Sequence, residues 1–174
     1  MQLCFAFLIF TFDLLMPTLH LTSFVAAPKD RVFDLHRNIS LHKISMEHFG
    51  EEIVSGVRSG LINTEDTVTW KGKHLFKTRL FTSKIMEMKP YETFTDKMTK
   101  GDFKSFEHQH FFKPAENGTI VIDIIKYEIP YGWIGEMVNK FYLNSYLEKI
   151  ISHRNDVIKQ YAETDKWRVL LSNR

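Results

Sequence analysis

Hydrophobic and polar positions alternate with a period of two from Asp66 onward. Val68, Trp70, Gly72 and His74 fall on one face of a predicted strand, and threonines and lysines fall on the other. Further segments of this kind cover residues 79–88, 92–99, 103–112 and 119–129, and each ends at a proline, a glycine or the Asn117–Gly118 turn signal. Five strands joined by such short turns predict an antiparallel meander.

The segments before this meander have a different pattern. Residues 19–26 predict a first strand, and Pro28 with the apolar stripe that follows predicts a short helix, after which Ser40 can cap a second one. The glycines at 50, 56 and 60 predict a looser connection. This part of the chain therefore contributes one strand and two short helices.

Residues 133–163 have helical periodicity and no proline, which predicts one long helix. Its apolar positions form two stripes on different faces, the second of which includes Leu147, Arg154 and Ile158. Residues 165–174 are expected to form a short tail. The predicted domain therefore covers residues 16–164.

Residues 1–15 are expected to lie outside the fold as an N-terminal extension. The apolar run 3–12 is shorter than the ~20 residues that a transmembrane helix needs. It also lacks the positive segment of a signal peptide, and Asp13 interrupts its end. A secreted or membrane-anchored protein is the less favoured alternative.

The order β-α-α-β5-α predicts an α+β helix-grip fold. In this arrangement the first strand joins the meander, the antiparallel sheet curls, and the long C-terminal helix lies across its concave face. A curled sheet around a helix leaves an internal cavity, which is a natural place for an apolar ligand.

Composition narrows the function classes. The 23 Lys and Arg nearly balance the 21 Asp and Glu, giving a net charge of +2, so no basic footprint for nucleic acid is present. A single cysteine cannot form an internal disulfide. Aromatic residues make up 14% of the chain, and we expect many of them to line the cavity.

Strand parity places four polar groups on the inner surface. On the fourth strand of the meander Phe106, His108, His110 and Phe112 project together, and on the fifth Asp123 shares a face with Tyr127. The same reasoning puts Asp96 inside with Phe94. Because adjacent strands lie about 4.8 Å apart, Asp96, His108, His110 and Asp123 are expected within hydrogen-bonding or one-water reach.

Three interpretations of this constellation remain open. It is a structural network in which each buried carboxylate is paired with a histidine. Alternatively, it is the polar anchor of a ligand cavity, with Trp70 and His74 also candidate lining residues. Finally, His108, His110, Asp96 and Asp123 are catalytic candidates, as a general base or as metal ligands, although the metal signal lacks a defined third ligand. We predict no metal and no cofactor.

The stretch 24–35, FVAAPKDRVFDL, resembles the opening of the START/Bet v1-like (SRPBCC) superfamily, from the first strand to the first helix. Further matching positions are Ser59-Gly60-Leu61-Ile62, Val68-Thr69-Trp70, His74, Phe94, Asp96, Phe106, His108, His110, Phe112, Asp123, Tyr127, Pro130, Gly132 and Gly135. The combination is similar to a polyketide cyclase/dehydrase-like, ligand-binding subgroup and covers roughly residues 17–163.

The resemblance implies a helix-grip protein that binds a small hydrophobic or aromatic ligand of lipid, quinone or polyketide type. The predicted ligand-binding residues are Trp70, His74, Phe94, Asp96, Phe106, His108, His110, Phe112, Asp123 and Tyr127. The alternatives are a cyclase/dehydratase-type enzyme and an accessory protein of stress or cell division that binds a partner. We further expect a cytoplasmic monomer or weak dimer with no nucleic-acid partner and no integral membrane segment.

Overall fold

A computed structural model describes residues 17–130 and 142–172 of the chain. Its strands form one curled antiparallel sheet. They are β1 (Thr18–Val25), β2 (Glu52–Gly56), β3 (Thr67–His74), β4 (Lys77–Lys89), β5 (Thr93–Lys100), β6 (Ser105–Ala115) and β7 (Gly118–Glu128). The helices are α1 (Lys29–His36), α2 (Ile39–Ser45), α3 (Asn144–Glu163) and α4 (Trp167–Leu171), with a 3₁₀ turn at Glu47–Phe49.

The sheet confirms the predicted meander and the place of the first strand. The strand order is β1-β7-β6-β5-β4-β3-β2, so each strand from β2 to β7 pairs with the next and β1 closes on β7. The tight β6–β7 hairpin brings Gly118 against β1, where an added Cβ would lie 2.2 Å from the Val25 carbonyl oxygen. A side chain at position 118 is therefore incompatible with this strand pairing.

The predicted count of five meander strands is wrong by one, because β2 also belongs to the sheet. The segment expected as a glycine-rich connection pairs with β3 from Glu52 to Gly56. Its register shifts between Ile53 and Ser55, so its side chains do not alternate regularly. Because of this irregularity the strand has no period-two pattern in the sequence. The element order of the described residues is β-α-α-β6-α-α.

Alternation along β6 and β7 agrees with the predicted parity. Every second residue of β7 from Thr119 to Tyr127 is buried, and His108, His110 and Phe112 are buried on β6. Asp123 faces inward although it carries a charge, because its neighbours at 121 and 125 are valine and isoleucine that must be buried. The sheet register then sets Asp96 opposite His108, and His110 opposite Asp123.

Helix α3 confirms the helical prediction for its described part and lies on the inner face of the sheet. Its buried residues include the predicted Leu147, Arg154 and Ile158, together with Ile151 and Asn155. The first part of the predicted helix, residues 133–141, and its first apolar stripe lie outside the described residues. Helices α1 and α2 both contact α3, which closes this side of the molecule.

The segment 165–174, expected as a tail, contains a packed helix. Leu171 of α4 is only 4% exposed and belongs to the main hydrophobic core. The Leu170 carbonyl accepts a hydrogen bond from Asn38 Nδ2 at 3.4 Å. Helix α4 is only five residues long, too short for a clear periodic pattern, and its burial depends on contacts with α1 far away in sequence.

The predicted extension, residues 1–15, lies outside the described residues, as does Met16. Among the helices that the structure describes, none combines the length and apolar character needed to cross a membrane.

Candidate functional site

A cavity of about 910 Å³ lies between the curled sheet and α3. Its wall is mostly apolar, with Val68, Ile85 and Phe81 from the sheet and Leu147 and Ile151 from α3. The predicted site residues that line it are Trp70, His74, Phe94, Asp96, Phe106 and His108. These six predicted positions therefore surround one space, although they come from three different strands.

The other predicted site residues, His110, Phe112, Asp123 and Tyr127, lie behind the cavity wall. Phe112 packs edge-on against Phe33 of α1, with ring centroids 5.2 Å apart. Tyr127 is fully buried, and its hydroxyl donates to Asn144 Oδ1 at 3.3 Å. The helices α1 and α3 cover these inward-facing side chains, so they belong to the packed core rather than to the cavity surface.

The four predicted polar groups form one network, in which His108, His110 and Asp123 are buried and Asp96 is partly exposed. His108 Nε2 lies 2.8 Å from Asp123 Oδ1, and His110 Nε2 lies 3.3 Å from Asp96 Oδ2. Asn155 Nδ2 of α3 donates to Asp123 Oδ2 at 2.6 Å. His110 Nδ1 is 2.7 Å from Asp123 Oδ1, but its N–H is not aligned for a hydrogen bond. The network ties three strands to the long helix.

Burial and pairing shift the pKa values of this network in different directions. Burial lowers the pKa of His108, which is therefore a neutral imidazole that donates one N–H to Asp123. Burial also acts to lower the pKa of His110, but Asp123 and Asp96 together raise it above its usual value. Burial alone would raise the pKa of Asp123; the two histidines instead hold it well below the usual range. Asp123 is thus the anionic centre of the network.

Asp96, His108 and His110 also have a spacing that suits a metal ion. One ligand atom from each lies within 4.8 Å of the others, and two imidazoles with a carboxylate are a common donor set for transition metals. However, one nitrogen of each histidine is already hydrogen-bonded to a carboxylate. His110 is the limiting ligand, because its Nε2 lies 3.3 Å from Asp96 and its Nδ1 lies 2.7 Å from Asp123. An ion bound to His110 would have to replace one of these two contacts, so the geometry fits a hydrogen-bonded network better than a metal centre.

A second polar cluster, the Glu51 cluster, lines another part of the cavity and consists of His42, Glu51, His74 and Tyr146. Glu51 is only 8% exposed, and its two oxygens lie 3.3 Å from His42 Nε2 and 3.0 Å from His74 Nε2. His74 Nδ1 lies 2.9 Å from the Tyr146 hydroxyl. Burial opposes the charge of Glu51, but the hydrogen bonds from both histidines lower its pKa to about 2.

Helices α1 and α3 meet at a third polar contact beside the cavity. His36 Nδ1 lies 2.8 Å from the Val32 carbonyl oxygen, and Arg154 Nη2 donates to the His36 carbonyl at 2.8 Å. Burial, reinforced by the positive charge of Arg154, lowers the pKa of His36 to about 3. His36 is therefore neutral in the folded protein.

Sequence reasoning missed Glu51, His42, His36 and Asn155. Glu51 and His42 lie outside the meander, in segments where no period-two pattern assigns a face. His36 and Asn155 are on helices, where they fall beside apolar stripes and give no sign of a polar role. The periodicity did place Arg154 on the buried stripe of the long helix.

The sequence matches one known protein family over most of its length. The model of the family described as "Polyketide cyclase / dehydrase and lipid transport" matches residues 25–153, which include every candidate site residue predicted from the sequence and about half of α3. No curated protein matches the sequence.

Solved structures share the fold at low sequence identity. TTHA0849 from Thermus thermophilus has a TM-score of 0.68 and 17% identity, over 84% of this chain and 97% of that chain. Ginseng major latex-like protein 151 from Panax ginseng has a TM-score of 0.63 and 16% identity, over 86% and 99% of the two chains. Protein CV1439 from Chromobacterium violaceum has a TM-score of 0.59 and 14% identity, over 85% and 99%. At such identities the similarity concerns the helix-grip fold.

Proposed function

The chain belongs to the polyketide cyclase / dehydrase and lipid transport family within the START/Bet v1-like superfamily, and on this premise we propose that it binds a small hydrophobic or aromatic ligand of lipid, quinone or polyketide type between the sheet and α3. The observation that carries the proposal is the cavity of about 910 Å³ with its largely apolar wall. Sites for small organic ligands have volumes of roughly 300–1,000 Å³ and mostly apolar walls.

The cavity combines apolar area with polar groups that can orient a ligand. Trp70, Phe94 and Phe106 offer ring faces, while His108 and the Glu51 cluster offer hydrogen bonds. A ligand that fills such a space is stabilised by about 25 cal/mol for each Å² of apolar surface it removes from water. The predictions of a cytoplasmic location and of a monomer or weak dimer stay predictions.

Filling the cavity should weaken ligand binding. Ser83 lies on β4, is buried and lines the cavity, so Ser83→Phe places a ring in the space of the ligand. We expect the uncharged fluorophore N-phenyl-1-naphthylamine to bind the unaltered protein with enhanced emission, and Ser83→Phe to weaken this binding at least about tenfold, a loss of ~1.4 kcal/mol. Fluorescence titration measures both affinities.

The matched control is Ser55→Phe, because Ser55 is exposed on β2 and away from the cavity. It should bind the fluorophore like the unaltered protein. Native mass spectrometry of protein purified from its own host should in addition show a co-purifying hydrophobic molecule. Failure of the fluorophore to bind, or equal affinity in Ser83→Phe, would contradict the proposal.

A second candidate function, catalysis of the cyclase/dehydratase type, is favoured by one specific observation. His108 lines the cavity and donates from Nε2 to the buried Asp123 carboxylate at 2.8 Å. With that tautomer Nδ1 is a proton acceptor, and the lowered pKa of His108 keeps the ring neutral. A positioned neutral imidazole of this kind can remove a proton next to a carbonyl group. The imidazolium so formed can return that proton to the β-hydroxyl, which leaves as water with formation of the carbon–carbon double bond.

The variant His108→Gln separates catalysis from binding. If the protein is a dehydratase, this variant should lose about 10²–10⁴-fold in turnover of a β-hydroxyacyl thioester, since general-base catalysis contributes about that much. Affinity for N-phenyl-1-naphthylamine should change only a few-fold. The exposed His20 on β1 provides the control His20→Gln. Absence of turnover in the unaltered protein would leave binding as the function.

A further inference from the structure

Arg154 is a buried cation at the cavity wall. It lies on the inner face of α3, is only 7% exposed, and lines the cavity. Its Nη2 donates to the His36 carbonyl at 2.8 Å, which links α3 to α1. An arginine is seldom buried to this extent unless a carboxylate accompanies it.

Within residues 17–130 and 142–172, no carboxylate oxygen lies within 4.0 Å of the Arg154 guanidinium. Its buried Nε has no hydrogen-bond partner in this part of the chain, where the side chain bonds to the His36 carbonyl alone. Asp96 and Asp123 act on Arg154 through space, but their oxygens are in contact with His108, His110 and Asn155 instead. The two carboxylates therefore balance the charge of the guanidinium from a distance, but among the described residues no carboxylate is in contact with it.

The surroundings of Arg154 indicate the form of a ligand that could contact its guanidinium. The residues of α3 that line the cavity are Tyr146, Leu147, Ile150, Ile151 and Arg154, preceded by Leu143. Arg154 is the last of them, so an apolar wall extends from its guanidinium toward Leu143 over roughly 16 Å of helix, at ~1.5 Å per residue. A molecule lying along this wall would be apolar over most of its length and meet a positive charge at one end.

We infer that the ligand is an amphipathic carboxylic acid and that Arg154 binds its carboxylate. This inference rests on the proposed function and adds the chemical class of the ligand. The planar fork of a guanidinium matches a carboxylate and forms short, charge-assisted hydrogen bonds with it. Such bonds in a water-poor site supply the contact that Arg154 lacks, while the acyl or aromatic part of the acid fills the apolar cavity.

The test compares an acid with its uncharged ester. Myristate and methyl myristate are used to displace N-phenyl-1-naphthylamine from the unaltered protein and from Arg154→Met. We expect the unaltered protein to prefer myristate, and Arg154→Met to lose about tenfold to hundredfold in myristate affinity, the range for a charged hydrogen bond. Its affinity for methyl myristate should change less than about threefold.

Arg31→Met is the matched control. Arg31 of α1 donates from Nη1 to the Ala162 carbonyl of α3 at 3.0 Å, so it also connects these two helices, but it does not line the cavity. This variant should keep the preference for the acid. If Arg154 only connects the helices, Arg154→Met will weaken acid and ester equally, and that result would overturn the inference.

A second measurement covers the case in which Arg154→Met does not fold. Myristate labelled with ¹³C at the carboxyl carbon is titrated by NMR while bound to the unaltered protein. A guanidinium in contact should hold the pKa of the bound acid below that of the free acid. A bound pKa at or above the free value overturns the inference while leaving the proposed function intact. Failure of the fluorophore and the ester to bind at all would overturn both.

Discussion

Replacing Asp123 with alanine should lower the free energy of unfolding by about 3–5 kcal/mol, the cost of removing one partner from a buried charged pair. Asp123 is fully buried and accepts hydrogen bonds from His108 and Asn155, at 2.8 and 2.6 Å. Without its carboxylate, the donors of His108 and Asn155 would remain inside the protein unpaired, and His110 Nδ1 would lose its contact at 2.7 Å. Urea denaturation at pH 7, followed by circular dichroism, measures the loss.

Asp102→Ala is the control for this prediction. Asp102 also forms an ion pair, with Arg79, but its side chain is 58% exposed. An exposed pair contributes about 0–1 kcal/mol, so this variant should remain close to the unaltered protein. A loss below about 1 kcal/mol in Asp123→Ala, equal to that of the control, would show that the buried network is not a source of stability.

Glu51→Gln should remove a large part of the pH dependence that the free energy of unfolding shows in the acid range. The folded-state pKa of Glu51 is about 2 against a usual value of 4.5, because His42 and His74 both hydrogen-bond to its charged form. A lowered folded pKa means that the stabilisation is complete above pH ~4.5 and is lost as the pH falls toward ~2. At about 1.4 kcal/mol per pKa unit, the charge contributes on the order of 3 kcal/mol at pH 7.

Urea denaturation of both proteins at pH 5.5 and 3.5 measures this effect. Between these values the unaltered protein should lose about 1 kcal/mol more than Glu51→Gln does. The neighbouring Glu52 is exposed on β2, so Glu52→Gln should keep the full pH dependence. If Glu51→Gln destabilises the protein equally at both pH values, the pKa of Glu51 is not lowered by its histidines.

The two polar clusters lie at different parts of the same cavity. The network of Asp96, His108, His110 and Asp123 connects β5, β6 and β7. The Glu51 cluster connects α2, β3 and α3 through His42, His74 and Tyr146. Both clusters contribute side chains to the cavity wall, among them His108 from the first and His74 from the second.

Strand parity could be predicted well because it depends on covalent geometry alone. Successive side chains of a strand point to opposite faces, so Phe106, His108 and His110 had to project together wherever the strand was placed. The prediction that Asp96 and Asp123 join them is confirmed by the pairing of β5, β6 and β7. The same local periodicity placed Arg154 on the buried face of α3.

Elements without a regular period were missed. The bulge between Ile53 and Ser55 breaks the alternation of β2, and α4 is a five-residue helix. Glu51 precedes an irregular strand, and its partners His42, His74 and Tyr146 come from three distant elements. No short-range pattern contains this information, because the contacts form only when α2, β3 and α3 meet.

By itself, the sequence determined the meander, the long helix and the inward direction of Asp96, His108, His110 and Asp123. Only the tertiary structure decided which inward side chains face the cavity and which belong to the core. Phe106 and Phe112 have the same parity on one strand, yet Phe106 lines the cavity and Phe112 is covered by Phe33 of α1. Side-chain direction is a local property of the backbone, whereas the boundary of a cavity depends on where helices distant in sequence pack against the sheet.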